Sequence, residues 1–359
     1  MARVLFLDPY HGVSHRTLST SLRDHSRHDV TLLTLPPRKW KWRMRGAALA
    51  FEPLTRALPP PEILVCTDML NLPEYLGLMR GHLPAHLVVI SYFHENQLTY
   101  PTQSGDERDI HFGLTNIHTA LASDRVVFNS AFHRTEFLAA VEHLIGTMPD
   151  HHPEGVPRRI HSRSHVLGPP IDLPAIERPK ENLILWNHRW EADKNPESFF
   201  RVMRRLDQSG IEFKLMILGE RFRQQPVCFE EARRSLAHRI EHWGYLPSRQ
   251  EYLEQVARCR VIVSTAHHEF FGLAAREAVA LGCLPLLPHR VVYPEMVGGR
   301  AEYLYDDEDD LLARLTKALT DPRAQCPADL RATIASHTVA RVVSRWDEWF
   351  DELRPHQVT

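Results

Sequence analysis

Short apolar, β-branched runs alternate with segments of helical spacing from the first residues onward, and this alternation constrains the fold more than anything else in the sequence. In the first half, runs at 3–8, 29–35, 62–69, 86–94 and 125–129 alternate with helical segments at 14–27, 71–80, 110–122 and 131–145. Strands that are apolar throughout must be covered on both faces, which repeated βα units achieve around a parallel sheet. The pattern breaks at 151–163, a polar stretch rich in His, Pro and Arg, and resumes at 165–172. Pro174, Arg178 and Pro179 follow and read as a linker. The second half repeats the grammar, with strands at 182–188, 213–218, 240–243, 260–265 and 284–287. Helices are expected between them at 197–208, 227–238, 252–258 and 272–281, and the chain reads as mostly helical from Asp306 to about 353.

The expectation is an α/β protein of two doubly wound, Rossmann-like domains. Residues 1–172 form the first and 173–335 the second, while 336–359 form a C-terminal helix that could pack back on the first. A length of 359 residues suits two packed cores. Ligands in such sheets bind beyond the carboxyl ends of the strands, so two facing domains are expected to share an interdomain cleft.

Composition narrows the function classes. The chain is 43% hydrophobic and 25% charged with a formal net charge of −2, which excludes a globally basic nucleic-acid binder and leaves room only for a local patch. The five cysteines are scattered and include no C-x-x-C pair, which argues for free thiols in a reducing compartment rather than a disulfide framework or zinc knuckle. No stretch approaches the roughly 18 apolar residues of a membrane span. The expected location is the cytoplasm, with no membrane partner.

One junction carries most of the chemistry. The run ending at Ser264-Thr265 leads through His267-His268-Glu269-Phe270-Phe271 to Gly272, after which Leu273, Ala274 and the residues up to Gly282 favour helix. A strand that hands over to a helix in this way turns backbone N–H groups and a dipole end toward an anion. Glu269 and Glu277 flank that position, and carboxylates there suit the neutral hydroxyls of a sugar or polyol. The alternative is a helix with an acidic first turn and one surface ion pair. Arg189 and Lys194 follow the first strand of the second half. They either neutralise a departing diphosphate without a metal, or form a salt-bridged solvated loop with Glu191 and Asp193.

The first half offers a second constellation. His94 ends an apolar run and is followed by Glu95, Asn96 and Gln97, a polar cluster that is hard to bury without purpose. Gly12 and His15 lie after the first strand. His11 and His15 lack the further partners a metal site needs. Finally, Arg38, Lys39, Trp40, Lys41, Trp42, Arg43 and Arg45 form the most basic stretch, with Arg158 and Arg159 as a second one. The cations fit phosphates, while the two indoles either stack on unpaired bases or pack in the domain with the cations snorkelling out.

Glu269-x7-Glu277 after Ser264-Thr265 resembles the signature of retaining GT-B glycosyltransferases. The blocks at 10–15, 34–43, 91–101, 186–194, 242–248 and 267–272 resemble, more closely, the tRNA-queuosine alpha-mannosyltransferases. The likeness runs from the first strand to about Tyr305, and the chain lacks a long polar insert that animal members carry before residue 182. The resemblance implies that Arg189 and Lys194 hold the donor diphosphate and that Glu269 contacts the transferred sugar. Amides from Gly272 to Ala274, in the loop of Phe271 and Leu273, would hold the distal phosphate, and Glu277 the ribose. Gly244, Tyr245 and Leu246 would line the nucleobase pocket, although Tyr245 taken alone would more often be core than base stack. His94 would sit beside the anomeric carbon, and the Gly12 loop would close on the donor phosphates. His15, the 38–45 stretch and Glu95, Asn96 and Gln97 would meet the acceptor. The donor implied is GDP-mannose, and the acceptor is queuosine in a tRNA anticodon, with tRNA-Asp the expected species. No cofactor or metal is expected. The competing functions are a GT-B enzyme acting on a lipid or small glycan, and a tRNA-binding protein that has lost activity.

Overall fold

The computed structural model describes residues 1–102, 107–221 and 225–354 and divides into two compact units. One comprises Met1–Asp172 with His337–Thr359, and the other Leu173–Ser336. The last five residues of the expected C-terminal segment, 355–359, lie outside the described residues.

The first unit is built on six strands, β1 (Arg3–Asp8), β2 (Asp29–Thr34), β3 (Ile63–Thr67), β4 (Val88–Phe93), β5 (Arg125–Phe128) and β6 (Ser164–Val166). Every pairing is parallel, in the order β2-β1-β3-β4-β5-β6. The strands are apolar throughout because both faces are covered: Val4, Phe6, Val65 and Ile90 face one core, and Leu5, Leu7, Leu64 and Val89 the other. The helix Val339–Leu353 closes the first of these cores. Its Val342, Val343, Trp346, Trp349 and Phe350 recur at helical spacing on one buried face, and Thr338 caps its N-terminus by accepting from the Arg341 N–H at 3.3 Å. The return of the chain is fastened where the Ile171 N–H donates to the His337 carbonyl at 2.7 Å.

The second unit holds β7 (Glu181–Asn187), β8 (Lys214–Leu218), β9 (Ile240–Gly244), β10 (Cys259–Val263), β11 (Leu284–Pro288) and β12 (Leu304–Tyr305), again all parallel. Their order is β12-β11-β10-β7-β8-β9. An aromatic core of Trp186, Trp190, Phe199, Phe200, Phe229 and Trp243 fills one side, with Trp190 stacked on Phe229 at 4.1 Å. In each sheet the strand order reverses beside the first strand, between β1 and β3 and between β7 and β10. Crevices at the carboxyl ends of such neighbours are where doubly wound sheets take ligands.

Two segments depart from the sequence-based expectation. Residues in Trp40–Arg56 form a 17-residue helix despite Gly46 and Pro53, because Met44, Ala47, Ala48, Phe51 and Thr55 bury one face. The polar stretch at 151–163 contains the helix Val156–His161, which starts at Gly155 in the left-handed region and buries Val156 and Ile160. Among the described residues, no helix is long and apolar enough to cross a membrane.

Candidate functional site

In the second unit, the β7 and β10 edges bring the expected donor residues together. After β10, Thr265 binds the Lys194 carbonyl through its hydroxyl at 2.8 Å, and the His267 N–H donates to the Asp193 carbonyl at 2.8 Å. The two loops are thereby laced side by side. Lys194 is buried, and its Nζ donates to the His268 carbonyl at 2.7 Å while lying 3.0 Å from Asp193 and 3.5 Å from Glu269. Burial disfavours its charge, but Glu269 and then Asp193 outweigh that and raise its pKa. Glu269 shows the reciprocal effect. Burial would raise its pKa, yet the Lys194 charge dominates and holds it down at about 2. The result is a fixed cation and a fixed carboxylate side by side at a helix start.

Gly272 caps that helix, Leu273–Ala280, with φ 76 and ψ 44, a left-handed conformation that suits glycine. Its own N–H is occupied, donating to Glu269 Oε1 at 3.1 Å. The anion-facing amides are therefore those of Leu273 onward, which have no intrahelical acceptor in the first turn. Phe271 is buried beneath the Arg276 guanidinium, 4.3 Å from its ring, and its carbonyl accepts from Arg276 Nε. Asn187, the last residue of β7, donates to the Ala274 carbonyl at 3.1 Å and to the Tyr252 hydroxyl at 3.0 Å, locking the helix start to the strand end.

Both readings of the cation pair have a counterpart in the structure. Arg189 is 3.1 Å from Glu191 and about half exposed, as a loop ion pair would be. Lys194 is buried and faces Glu269, as a ligand-binding cation would be. Glu277 is also buried, and its carboxylate is paired with both terminal nitrogens of Arg249, one at 3.0 Å. Arg249 opens the helix Arg249–Arg258, which Ser248 caps. The interaction makes Glu277 more than the surface ion pair of the bland reading, since one partner is inside.

Gly244 ends β9 with φ 123, and a Cβ there would meet Arg221 Nη2 at 2.7 Å. Tyr245 is 61% exposed, which overturns its reading as core and leaves its ring available. With strands spaced by about 4.8 Å and β8 between them, the β9 edge lies roughly 10 Å from that of β7. Sequence reasoning missed His188, which follows β7 directly. It is buried, Nε2 has no hydrogen-bond partner among the described residues, and burial, then Lys194, bring its pKa down to about 4. Its backbone also dictates Gly219, at φ 139, where a Cβ would fall 1.9 Å from the His188 carbonyl oxygen.

In the first unit, the ends of β1, β3 and β4 assemble a histidine–carboxylate cluster. Asp8 accepts from His11 Nδ1 at 2.8 Å and from His15 Nδ1 at 3.0 Å. Burial opposes its charge, but His15 and then His11 hold the carboxyl well below the usual range. His15 stacks on His94, with ring centroids 3.8 Å apart and 19° between planes. Burial lowers the pKa of His15, yet Asp8 raises it by more, whereas burial and the adjoining His15 charge push His94 well below its ordinary value. The stack therefore pairs an imidazole biased toward its charged form with one biased toward its neutral form. His94 Nε2 is buried and has no hydrogen-bond partner among the described residues, while its backbone N–H donates to Asp68 at 2.9 Å and its carbonyl accepts from Asn129 at 2.8 Å. Asp68 is pushed up to about 8 by burial, with His15 opposing and Glu95 adding.

Gly12 caps the helix Val13–His25 with an ordinary φ of −84, close to His11 and His15. Gln97 Nε2 donates to Glu95 at 3.0 Å. Asn96 is fully buried, and its Oδ1 accepts from the N–H groups of Leu98 and Thr99, so it shapes its own loop and is not offered to an acceptor. The two tryptophans of the basic stretch part company. Trp40 packs edge-on against Phe112 at 4.9 Å, next to Met44 and Met69, while Trp42 is 75% exposed. Arg38, Lys39, Lys41 and Arg45 are exposed, and Arg43 is half-buried with Nε on the Pro36 carbonyl. Leu246 is half-buried. Among the described residues, no group of three or more His, Cys, Asp and Glu side chains is arranged to hold a metal ion.

Comparison with known proteins fits this division. Residues 3–171 match the family model described as tRNA-queuosine alpha-mannosyltransferase N-terminal, and 173–335 match that described as glycosyl transferases group 1. The tRNA-queuosine alpha-mannosyltransferase of Drosophila melanogaster is 33% identical over 335 residues, covering 89% of this chain and 88% of that protein. Among solved structures, the sucrose-phosphate synthase of Thermosynechococcus elongatus superposes with a TM-score of 0.73 at 14% identity, covering 98% of this chain and 99% of that one. A UDP-forming trehalose-phosphate synthase of Burkholderia xenovorans gives a TM-score of 0.64 at 13% identity over the whole of both chains. At such identities these two speak for the fold alone, which is GT-B. The chain belongs to the tRNA-queuosine alpha-mannosyltransferase family and is a glycosyltransferase.

Proposed function

We propose, from that membership, that this enzyme moves mannose from GDP-mannose, with retention at the anomeric carbon, onto the cyclopentenediol of queuosine in a tRNA anticodon, tRNA-Asp being the expected acceptor. The observation that carries the donor half is the buried Lys194–Glu269 pair at the start of the helix Leu273–Ala280. A buried ammonium held charged by carboxylates, beside first-turn amides, is suited to a diphosphate whose negative charge grows as it departs. Arg189 would add a second cation by exchanging Glu191 for phosphate oxygens. These groups supply the charge neutralisation, so the proposal includes no metal or cofactor.

In the proposed step, the bond from the anomeric carbon to the phosphate oxygen breaks and the bond to an acceptor hydroxyl oxygen forms on the same face. The hydroxyl proton passes to the departing phosphate oxygen. Glu269 keeps one oxygen on the Gly272 amide, so its other oxygen would serve a sugar hydroxyl. His94, its pKa pushed down by burial and its Nε2 without a hydrogen-bond partner among the described residues, would position or polarise groups at the anomeric carbon. Glu277 and Arg249 would hold the ribose, and Gly244, Tyr245 and Leu246 the guanine. The exposed cations of the 38–45 stretch would meet RNA phosphates, with His15, Glu95 and Gln97 nearer the acceptor base. The test is to assay Glu269→Ala and Arg189→Ala for mannosyl transfer and for tRNA binding. Loss of transfer with tRNA binding intact supports these roles, and undiminished product formation would remove them.

A further inference from the structure

The exposed tryptophan of the basic stretch has no part in the donor chemistry. Of the seven tryptophans, Trp186, Trp190, Trp346 and Trp349 are within 2% of complete burial, Trp40 and Trp243 are half-buried, and Trp42 alone stands 75% exposed. An indole left in water forgoes the burial of a large apolar surface, which folding usually captures. The helix Trp40–Arg56 holds it there rigidly. Its opposite face is fixed by Met44, Ala47, Ala48, Phe51 and Thr55, and its start by Trp40 against Phe112.

The surroundings of Trp42 are cationic and uncompensated. Five basic residues lie between positions 38 and 45, and no Asp or Glu lies between Asp29 and Glu52. Along the chain, the ion pairs on either side are His28–Asp351 and Arg56–Glu52, so among the described residues none of the five cations has a carboxylate partner. Elsewhere on this chain, arginines are routinely paired with carboxylates, as Arg201 is with Glu308 and Arg258 with Glu181. On the helix, Trp42 is followed one turn later by Arg45, whose guanidinium also lies over the Phe112 ring at 5.0 Å and is thereby fixed in place. Lys41 is held over Trp40 at 5.6 Å.

We propose that Trp42 is a stacking platform for one unpaired nucleobase, with Arg38, Lys39, Lys41 and Arg45 gripping the phosphates on either side, so that the enzyme selects single-stranded RNA next to the modified nucleotide. The proposal rests on the tRNA-acceptor reading and narrows it to looped rather than paired RNA. A flat aromatic ring accepts any base face, but a paired and stacked base has no free face to offer. A membrane surface is disfavoured because the outward face carries only Trp42 and Leu49 as exposed large apolar residues ahead of Pro53, with Arg45 between them.

The test is fluorescence-anisotropy binding, without sugar nucleotide, of an unmodified anticodon stem-loop and of a fully paired duplex of equal length. Trp42→Ala is expected to weaken stem-loop binding by about tenfold and leave duplex binding unchanged. Trp42→Phe is expected to recover most of the loss, and Lys41→Glu with Arg45→Glu to weaken both ligands. Equal stem-loop affinity for wild type and Trp42→Ala would overturn the proposal, as would an equal loss on the duplex. Anionic phosphatidylglycerol vesicles serve as the third ligand, and Trp42-dependent vesicle binding without a stem-loop effect would also overturn it. Because no transfer is measured, a failure here leaves mannosyl transfer standing, and a failure of transfer leaves the stacking result standing.

Discussion

Replacing Lys194 with methionine removes the buried cation that lies between Asp193 and Glu269. Glu269 sits at about 2, some two units below an ordinary glutamate at about 4.3, although burial pushes it the other way. At about 1.4 kcal/mol per tenfold change in protonation, that depression, led by Lys194 and shared by His188, the Gly272 N–H and His268, favours the charged carboxylate in the folded second unit by about 3 kcal/mol. That matches the usual cost of about 3–5 kcal/mol for breaking a buried pair from one side. For a unit of this size it corresponds to a fall of about 6–12 °C in unfolding midpoint. The sign with pH follows from a depressed carboxylate. Its contribution is present above the unfolded value of about 4.3 and is lost as pH falls toward about 2. Because burial unopposed by Lys194 raises Glu269 in the variant, the Lys194→Met deficit should be largest near neutral pH and narrow as pH falls. Thermal unfolding across pH measures it, and isothermal titration with GDP should show the variant's affinity falling at least tenfold. A midpoint within about 2 °C of wild type, or a deficit that widens below pH 4.5, would refute the coupling.

Three further outcomes follow from particular contacts. Asp8→Asn removes the anion that raises the His15 pKa; the ion pair contributes below the ordinary imidazole value and is lost as pH climbs through the raised one, so NMR titration should find His15 shifted down and wild-type stability declining with alkaline pH where the variant's does not. Gly219→Ala should abolish soluble folded protein, because backbone atoms at 1.9 Å cannot yield, whereas Gly272→Ala, with ordinary contacts and only a left-handed φ to strain it, should cost about 1–2 kcal/mol in chemical denaturation. Trp346→Ala should lower the stability of the first unit by about 3–5 kcal/mol, since the ring is fully buried between the C-terminal helix and the sheet, and circular dichroism melts would register it.

The strands were legible because parallel sheets covered on both faces leave uninterrupted apolar runs, and so was the junction at Glu269–Gly272, where local residue types set a local shape. The helix Trp40–Arg56 was not, since glycine and proline within it weaken its propensity and only tertiary burial of Met44, Ala47, Ala48 and Phe51 restores it. Helical spacing from those buried residues would have separated Trp40, on the packed side, from Trp42. The Asp68–His94 and Arg249–Glu277 pairings were out of reach for a different reason. Asp68 meets His94 across 26 positions and Arg249 meets Glu277 across 28, so no local pattern announces either pairing. Tyr245 misled in the opposite direction: an aromatic after a strand usually packs, and here it stands in solvent.

The acceptor proposed for the donor site's sugar is queuosine in tRNA. Purified enzyme, GDP-mannose and queuosine-containing tRNA should yield, after digestion to nucleosides and mass analysis, a queuosine heavier by one hexose, with no change in tRNA that lacks queuosine. An unaltered queuosine, together with transfer to a lipid or free glycan, would contradict it.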